Sequence, residues 1–426
     1  MRDILFAIVL VCLLPLGALH PWIGASLWAW VSLMSPHRMT YSFMYDAPVA
    51  MLTGLVTILG LVFSRDPKRL PNATPLVWLA IFAVWMVITY FFSLGPAVDN
   101  FAQLDKVMKI YLMTFIATAV MWKRSQIDVL VAICAFSIAF FGVKGGVFTI
   151  VTGGGFRVRG EGGFIAGNNE IALALVMIVP LMYYFVLITE RKLLRYVLWA
   201  SMGLCVVAVL GTQSRGGLLG ILGMAIAFIA RSDRRFRMIL PLVVAVVLVI
   251  LFMPDSWWER MGTIGTYDED ASAMGRINAW SLALNIATHR FFGGGFTLEY
   301  PEIFSAYAPD PDFIAVAHSI YFQVLGQHGF VGLALYLGFW LATWRTCRWI
   351  SKNSPSPADR TLSQMVEVSL AGFAVGGAFL NLAYFDGPYY LMAAMVVLRY
   401  KILNNQTLIK GSKPVGQASS ARGAQS

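Results

Sequence analysis

Runs of apolar residues close to 20 long recur along most of this chain. A helix needs about 20 such residues to cross the ~30 Å hydrocarbon core of a bilayer. Inside lipid the backbone must satisfy its own hydrogen bonds, which restricts spanning structures to helices and closed β-barrels. The strict polar–apolar alternation of a barrel strand is missing here. The runs centre on residues 47–64, 75–94, 107–121, 127–152, 170–188, 195–211, 216–231 and 238–253, then on 330–346, 365–383 and 388–403. Composition agrees: 13% of the 426 residues are charged and 58% are hydrophobic, whereas soluble proteins carry about 25% charged residues. The pattern predicts an all-α polytopic integral membrane protein, with about 12 transmembrane helices and a large external loop containing amphipathic helices.

The short loops set the orientation. "SRDPKRL" (64–70), "WKRSQ" (122–126), "TERKLLR" (189–195), "RSDRRFR" (231–237) and "TCRWISKNSPSPADR" (346–360) are basic and fall at every second loop. Such loops are retained in the cytoplasm. Loops 95–106, 153–169, 211–215, 254–317 and 384–387 are then external. The opening "MRDILFAIVLVCLLPLGALHPW" lacks a small-residue cleavage site and reads as an uncleaved first span. Pro15 and Pro21 could divide residues 1–34 into two segments, but one broken span is expected, with both termini cytoplasmic. The organisation expected is N-terminal transmembrane helices over 1–253, a large loop over 254–317, C-terminal transmembrane helices over 318–404 and a disordered tail over 405–426. The net charge of +10 belongs to the basic loops and does not point to nucleic acid. Cys12, Cys134, Cys205 and Cys347 lie within or at the ends of apolar runs, so neither a disulfide nor a metal cluster is expected.

Arg157, Arg159, Arg215, Arg260, Arg276 and Arg290 break the charge rule, because all map to the external side. In "GTQSRGGLLG" (211–220) the loop is almost absent, so Arg215 sits at a helix end or just inside the bilayer. An ionisable residue there needs a partner or a wet cavity. Snorkelling to the headgroups is the simpler account, but Gln213, Ser214 and two glycines favour a crowded polar pocket. In "GGGFRVRGEGGFIAGNNE" (153–170), glycines permit close backbone approach, and Arg157 and Arg159 face one way in an extended segment. Ligand binding and loop solvation explain these two arginines equally well. Asn168, Asn169 and Glu170 open the next helix, where capping explains one asparagine. In "ASAMGRINAWSLALNIATHRFFGGGF" (271–296), Arg276, Trp280, Leu284 and Ala287 share a helical face. An amphipathic helix on the outer surface is expected, followed by a flexible turn at "FFGGGF". Guanidinium forks suit phosphate oxygens, so a lipid-linked phosphate or diphosphate is the inferred ligand. "YDED" (267–270), Glu299, Glu302, Asp310 and Asp312 lack metal-site spacing, and "YDED" reads as a solvated loop.

"AHSIYFQVLGQHGFVG" (317–332) holds two of the five histidines, at a polar–apolar boundary. His318-Ser319, nine residues, then Gly329-Phe330-Val331-Gly332 resembles the His-(Asn/Ser/Gln)-x9-Gly-x-x-(Gly/Thr/Tyr) motif of the O-antigen ligase family. Arg215 and Leu219 match that family's Arg-x-x-x-Leu element. "GRINAW" (275–280) and "RFFGGGF" (290–296) resemble its large-loop segments. The opening residues also resemble a subgroup of O-glycosylation ligases associated with exosortase systems. The resemblance implies a bacterial inner-membrane glycosyltransferase with a periplasmic active site. Its donor is a glycan on undecaprenyl diphosphate, and its acceptor is lipid A core or a protein serine or threonine. It further implies His318 as general base, Arg215 and Arg276 on the diphosphate, and Arg157, Arg159, Gln213, Ser214 and Asn168 as substrate-binding residues, with neither metal nor cofactor. An O-antigen polymerase and, from another class, a lipid-linked glycan flippase are the alternatives. His328, about 15 Å beyond His318 on a continuous helix, reads as structural or interfacial. Gly326, Gly329 and Gly332 would permit close helix packing.

Overall fold

The computed structural model describes residues 1–231, 254–255, 257–258 and 271–411. All regular structure among them is helical: α1 (Arg2–Leu19), α2 (Pro21–Met34), α3 (Val49–Phe63), α4 (Thr74–Tyr90), α5 (Ala97–Val120), α6 (Arg124–Val151), α7 (Asn168–Ile188), α8 (Lys192–Gly211), α9 (Arg215–Arg231), α10 (Ala271–His289), α11 (Pro301–Tyr307), α12 (Ile320–Asn353), α13 (Pro357–Gly377) and α14 (Asp386–Gly411). Among the described residues, α1, α6, α7, α8 and α12 are long and apolar enough to cross a membrane, and α3 and α4 are shorter apolar helices. This is a helical membrane protein.

Helix α7 forms the centre. Ile171 through Ile178 are each wholly buried, as expected for a helix apolar on every side. α6, α8, α9 and α13 pack around it. Glycines four apart bring α9 and α13 together: a Cβ on Gly220 would lie 3.4 Å from the Cα of Gly376, and one on Gly216 2.9 Å from Leu380. Small residues at this spacing let helix backbones approach closely in lipid. The contact seats Arg215, the first residue of α9, beside the end of α13.

The bundle has two distinct ends. At one, Arg69 N donates to Ala119 O, Lys401 Nζ to Trp122 O, and Arg124 pairs with Asp359 at 2.7 Å. These contacts collect the basic segments 64–70, 122–126 and 346–360. At the other end Leu94 N donates to Gly294 O and Val158 N to Gly211 O, while Gly162 packs on Arg38. The alternation read from the short loops is therefore present as a grouping at two ends.

Residues 1–34 depart from expectation. They form two antiparallel helices rather than one broken span: Phe6 meets Trp30 at 5.9 Å between ring centroids, and a Cβ on Gly17 would lie 3.1 Å from Gly24 Cα. Pro15 stays inside α1, and the chain turns at His20. Ser42 N and Met44 N donate to Asp3 Oδ1 at 2.9 and 3.3 Å. The N-terminus thus lies with loop 35–46, at the end opposite Lys401 on α14. Two termini on one side, with an even number of crossings, do not fit this arrangement.

Other boundaries shift for local reasons. α5 begins ten residues before its apolar run, because its first turns pack polar side chains such as Asn100 against the chain. α14 continues to Gly411, past the expected start of the tail at 405. The apolar run 238–253, the loop segment with Arg260 and "YDED", and tail residues 412–426 lie outside the described residues. The topology is checked by cysteine labelling in sealed membranes, in a background free of native cysteines. Arg2→Cys and Tyr41→Cys should react with an impermeant maleimide from one side and Lys401→Cys from the other. Labelling of Arg2→Cys from the Lys401 side would contradict the hairpin.

Candidate functional site

The site end is organised by a break in α12. Gly329 has φ +68°, outside the helical range, in the region that favours glycine. In an unbroken helix the carbonyls of Gly326, Gln327 and His328 would accept from residues 330–332. Here Gly294 N and Gly295 N donate to the first two at 2.9 Å each, and Trp85 Nε1 donates to the third at 2.9 Å. The "FFGGGF" segment is accordingly a hydrogen-bonded insert, not the flexible turn expected. Asn100 fastens its far side, its Oδ1 accepting from Phe296 N at 2.6 Å and from Thr297 N at 3.3 Å.

His328 is fully buried within this lock. Thr89 Oγ1 lies 2.7 Å from its Nδ1, and Tyr384 Oη 3.0 Å from its Nε2. Tyr384 donates on to Gln327 Oε1 at 2.6 Å, and Gln327 Nε2 to Phe296 O at 2.6 Å. The structural role expected of His328 holds. The continuous helix from His318 does not: α12 starts at Ile320, capped by the Ser319 hydroxyl, and the segment from cap to break is Ile320–His328, nine residues.

His318 lies before that cap. Its φ of +43° is in the left-handed region, uncommon for a residue with a side chain and typical of strained functional positions. Trp280 of α10 holds both flanks, stacking on Phe322 at 4.9 Å and donating Nε1 to Ala317 O at 2.6 Å. Arg276 is one turn before Trp280. Burial, then the charge of Arg276, lowers the His318 pKa below its ordinary 6.5. His318 Nδ1 is buried without a hydrogen-bond partner. The packed face of α10 is carried by Asn278, Ala279, Leu282, Ala283, Ile286 and Ala287, while Leu284 is exposed. The expected face through Leu284 is thus rotated, because α10 is packed on α12 and the chain around it.

The turn before α9 builds the second half. Thr212, Gln213 and Ser214 are buried. The Ser214 hydroxyl caps α9, accepting from Gly217 N at 3.1 Å. Gln213 Nε2 donates to Gly154 O at 3.1 Å, and Gln213 Oε1 accepts from Arg157 Nε at 3.2 Å. Asn168 does not cap α7; its Nδ2 donates to Thr212 O at 2.9 Å. Arg157 and the half-buried Arg215 thus flank one turn. Arg159 is exposed at its rim.

The end of α13 joins the two halves. Leu380 covers Gly216, Gly377 faces Ile320, and Phe379 lies 6.4 Å from Trp280. Residues 377–380 thus pack on Gly216 beside Arg215, on Ile320 shortly after His318, and on Trp280 one turn from Arg276. Arg290 instead donates to the carbonyls of Gly293 and Phe92. Residues 200–337 match the family model described as O-antigen ligase. That stretch is similar to O-antigen ligases. That match contains Arg215, Arg276, His318 and the break at Gly329. Residues 1–209, with Arg157, Arg159 and Asn168, match a family of unknown function (DUF5935). No curated protein matches the chain.

Sequence reasoning missed Thr89, Tyr384, Asn100 and Trp85, which lie far from the ligase motifs and carry no spacing signal. In Gly329→Ala a Cβ would meet Phe291 O at 2.6 Å, on a backbone whose strain costs about 1–3 kcal/mol. The variant should lose that much stability, visible as a lower Tm in detergent. An unchanged Tm would show that the break is dispensable.

Proposed function

We propose that this protein is a metal-independent, inverting glycosyltransferase of O-antigen ligase type. It moves a glycan en bloc from undecaprenyl diphosphate to a hydroxyl of lipid A core or of a protein serine or threonine. The observation that carries the reading is His318, held in a left-handed conformation beside Arg276 within the matched ligase domain. The membrane is the bacterial inner membrane, and the Arg215–His318 end faces the periplasm, as the basic loops at the opposite end favour.

Transfer breaks the bond between the anomeric carbon and the diphosphate and forms one to the acceptor oxygen. Arg215 and Arg276 bind the leaving diphosphate, where fixed positive charge matters most, with Arg157 and Arg159 assisting. His318 takes the acceptor proton. Its lowered pKa keeps the imidazole neutral and able to accept down to a more acidic pH than free histidine allows. Gln213, Ser214 and Asn168 direct their polar groups into the turn, so their part is to position Arg215 and Arg157. A flippase would need ligand access from both ends, whereas these arginines gather at one.

The test is transfer by purified protein in EDTA, with an undecaprenyl-diphosphate glycan and each acceptor in turn. Product on a lipid-linked glycan alone would mark a polymerase with the same donor chemistry. His318→Asn suits the left-handed backbone, so it should fold normally while transfer falls about 10²–10⁴-fold. Full activity in this variant would overturn the base assignment. The acid limb of the wild-type pH profile should lie below 6.5, and Arg276→Gln should move it upward by removing the charge that depresses the imidazole.

A further inference from the structure

We propose that a cavity against the first turns of α12 is a subsite for an uncharged or amino-bearing sugar unit, and that it discriminates against phosphorylated or otherwise anionic sugars. The cavity measures about 450 Å³, within the range of roughly 300–1,000 Å³ common to small-molecule sites. It opens between α5, residues 163–170, residues 296–299, α12 and residues 381–384. Gln103, Glu170, Glu299, Gln323 and Asn381 line it, with Phe296 supplying an aromatic wall. The role of this sugar in transfer rests on the glycosyltransferase reading above.

The lining matches a sugar ring in kind. Each hydroxyl both donates and accepts. Amide side chains also do both, and ionised carboxylates accept. An aromatic wall covers the apolar C–H face of the ring. Asn381 Oδ1 is buried and has no hydrogen-bond partner, so a ligand hydroxyl would complete it. Charge sets the selectivity. Two carboxylates line the cavity and, among the described residues, no arginine or lysine does. The Lys106 Nζ lies 3.7 Å over the Phe164 ring and is not itself among the lining side chains. A phosphate would meet like charge here, while the arginines stand at the neighbouring turn.

A narrower void ties the subsite to the chemistry. It is lined by Ala315, Val316 and Ala317, immediately before His318, and shares Glu299, Gln323 and Asn381 with the larger cavity. A sugar in the cavity would therefore reach toward His318. Either the acceptor glycan or the transferred glycan could be its source, since both present the same groups.

Binding is read by saturation-transfer NMR on the purified full chain in nanodiscs. The probes are N,N′-diacetylchitobiose and N-acetylglucosamine 6-phosphate. The neutral disaccharide should give a signal and the phosphorylated sugar little. Asn381→Leu should weaken the neutral signal about tenfold, the effect of one buried hydrogen bond left unmade. Glu299→Lys, with an unchanged Tm, should instead raise the signal of the phosphorylated sugar. Equal signals from both sugars with wild type, or no response to either substitution, would overturn the proposal. Steady-state transfer then separates the sources. A raised KM for the acceptor at constant donor KM in Asn381→Leu places the acceptor glycan in the cavity, and the converse places the donor glycan. If neither KM moves, the subsite is refuted. If wild type binds the disaccharide but transfers nothing, the glycosyltransferase reading fails and the sugar site stands.

Discussion

Three carbonyls released at Gly329 hold the site end of this molecule together. Residues 326–329 are buried, and an unmet backbone group away from water costs several kcal/mol. Gly326, Gln327 and His328 therefore require outside donors, and these come from Gly294, Gly295 and Trp85. That requirement draws the segment after α10 into the flank of α12 and fixes it to α4. Asn100 adds α5 from the other side. With residues 290–297 fixed, α10 can lie only along α12, and Arg276 and Trp280 arrive beside His318. The geometry of the candidate site thus follows in large part from a backbone deficit.

Charge at this end is sorted by place. Arginines 157 and 215 share one turn, and Arg276 stands on α10, while Glu170 and Glu299 face the adjoining cavity. A single ligand with a diphosphate at one end and neutral sugars at the other would span both without meeting like charge. The sorting depends on α13: its small residues let α9 come close enough to bring Arg215 to residues 377–380.

The helices were legible because lipid imposes a length, and ten of the eleven apolar runs have helical counterparts among the described residues, the exception being 238–253. Three of the basic segments, 64–70, 122–126 and 346–360, do gather at one end. Residues 1–34 misled because Pro15 is the more conspicuous breaker, yet a spanning helix tolerates proline and the turn falls at His20. His318, Arg215 and Arg276 stood out through motif and charge. Their supports did not. Thr89, Tyr384 and Asn100 act across separations of 239, 56 and 196 residues, and nothing local marks a side chain for a distant partner. A positive φ at His318 is equally invisible in the sequence, since histidine rarely adopts one.

The stretch between Ser319 and Gly329 behaves as a gauge block. Its ends are set by a cap and a break, so what matters mechanically is its count. One residue added or removed would advance the helix by about 1.5 Å and turn it by about 100°. That would turn Gln323 off the cavity wall, carry His318 away from Arg276 and break the fit of the block to α13. Every side chain of the block is buried or half-buried, so its length is constrained from all sides.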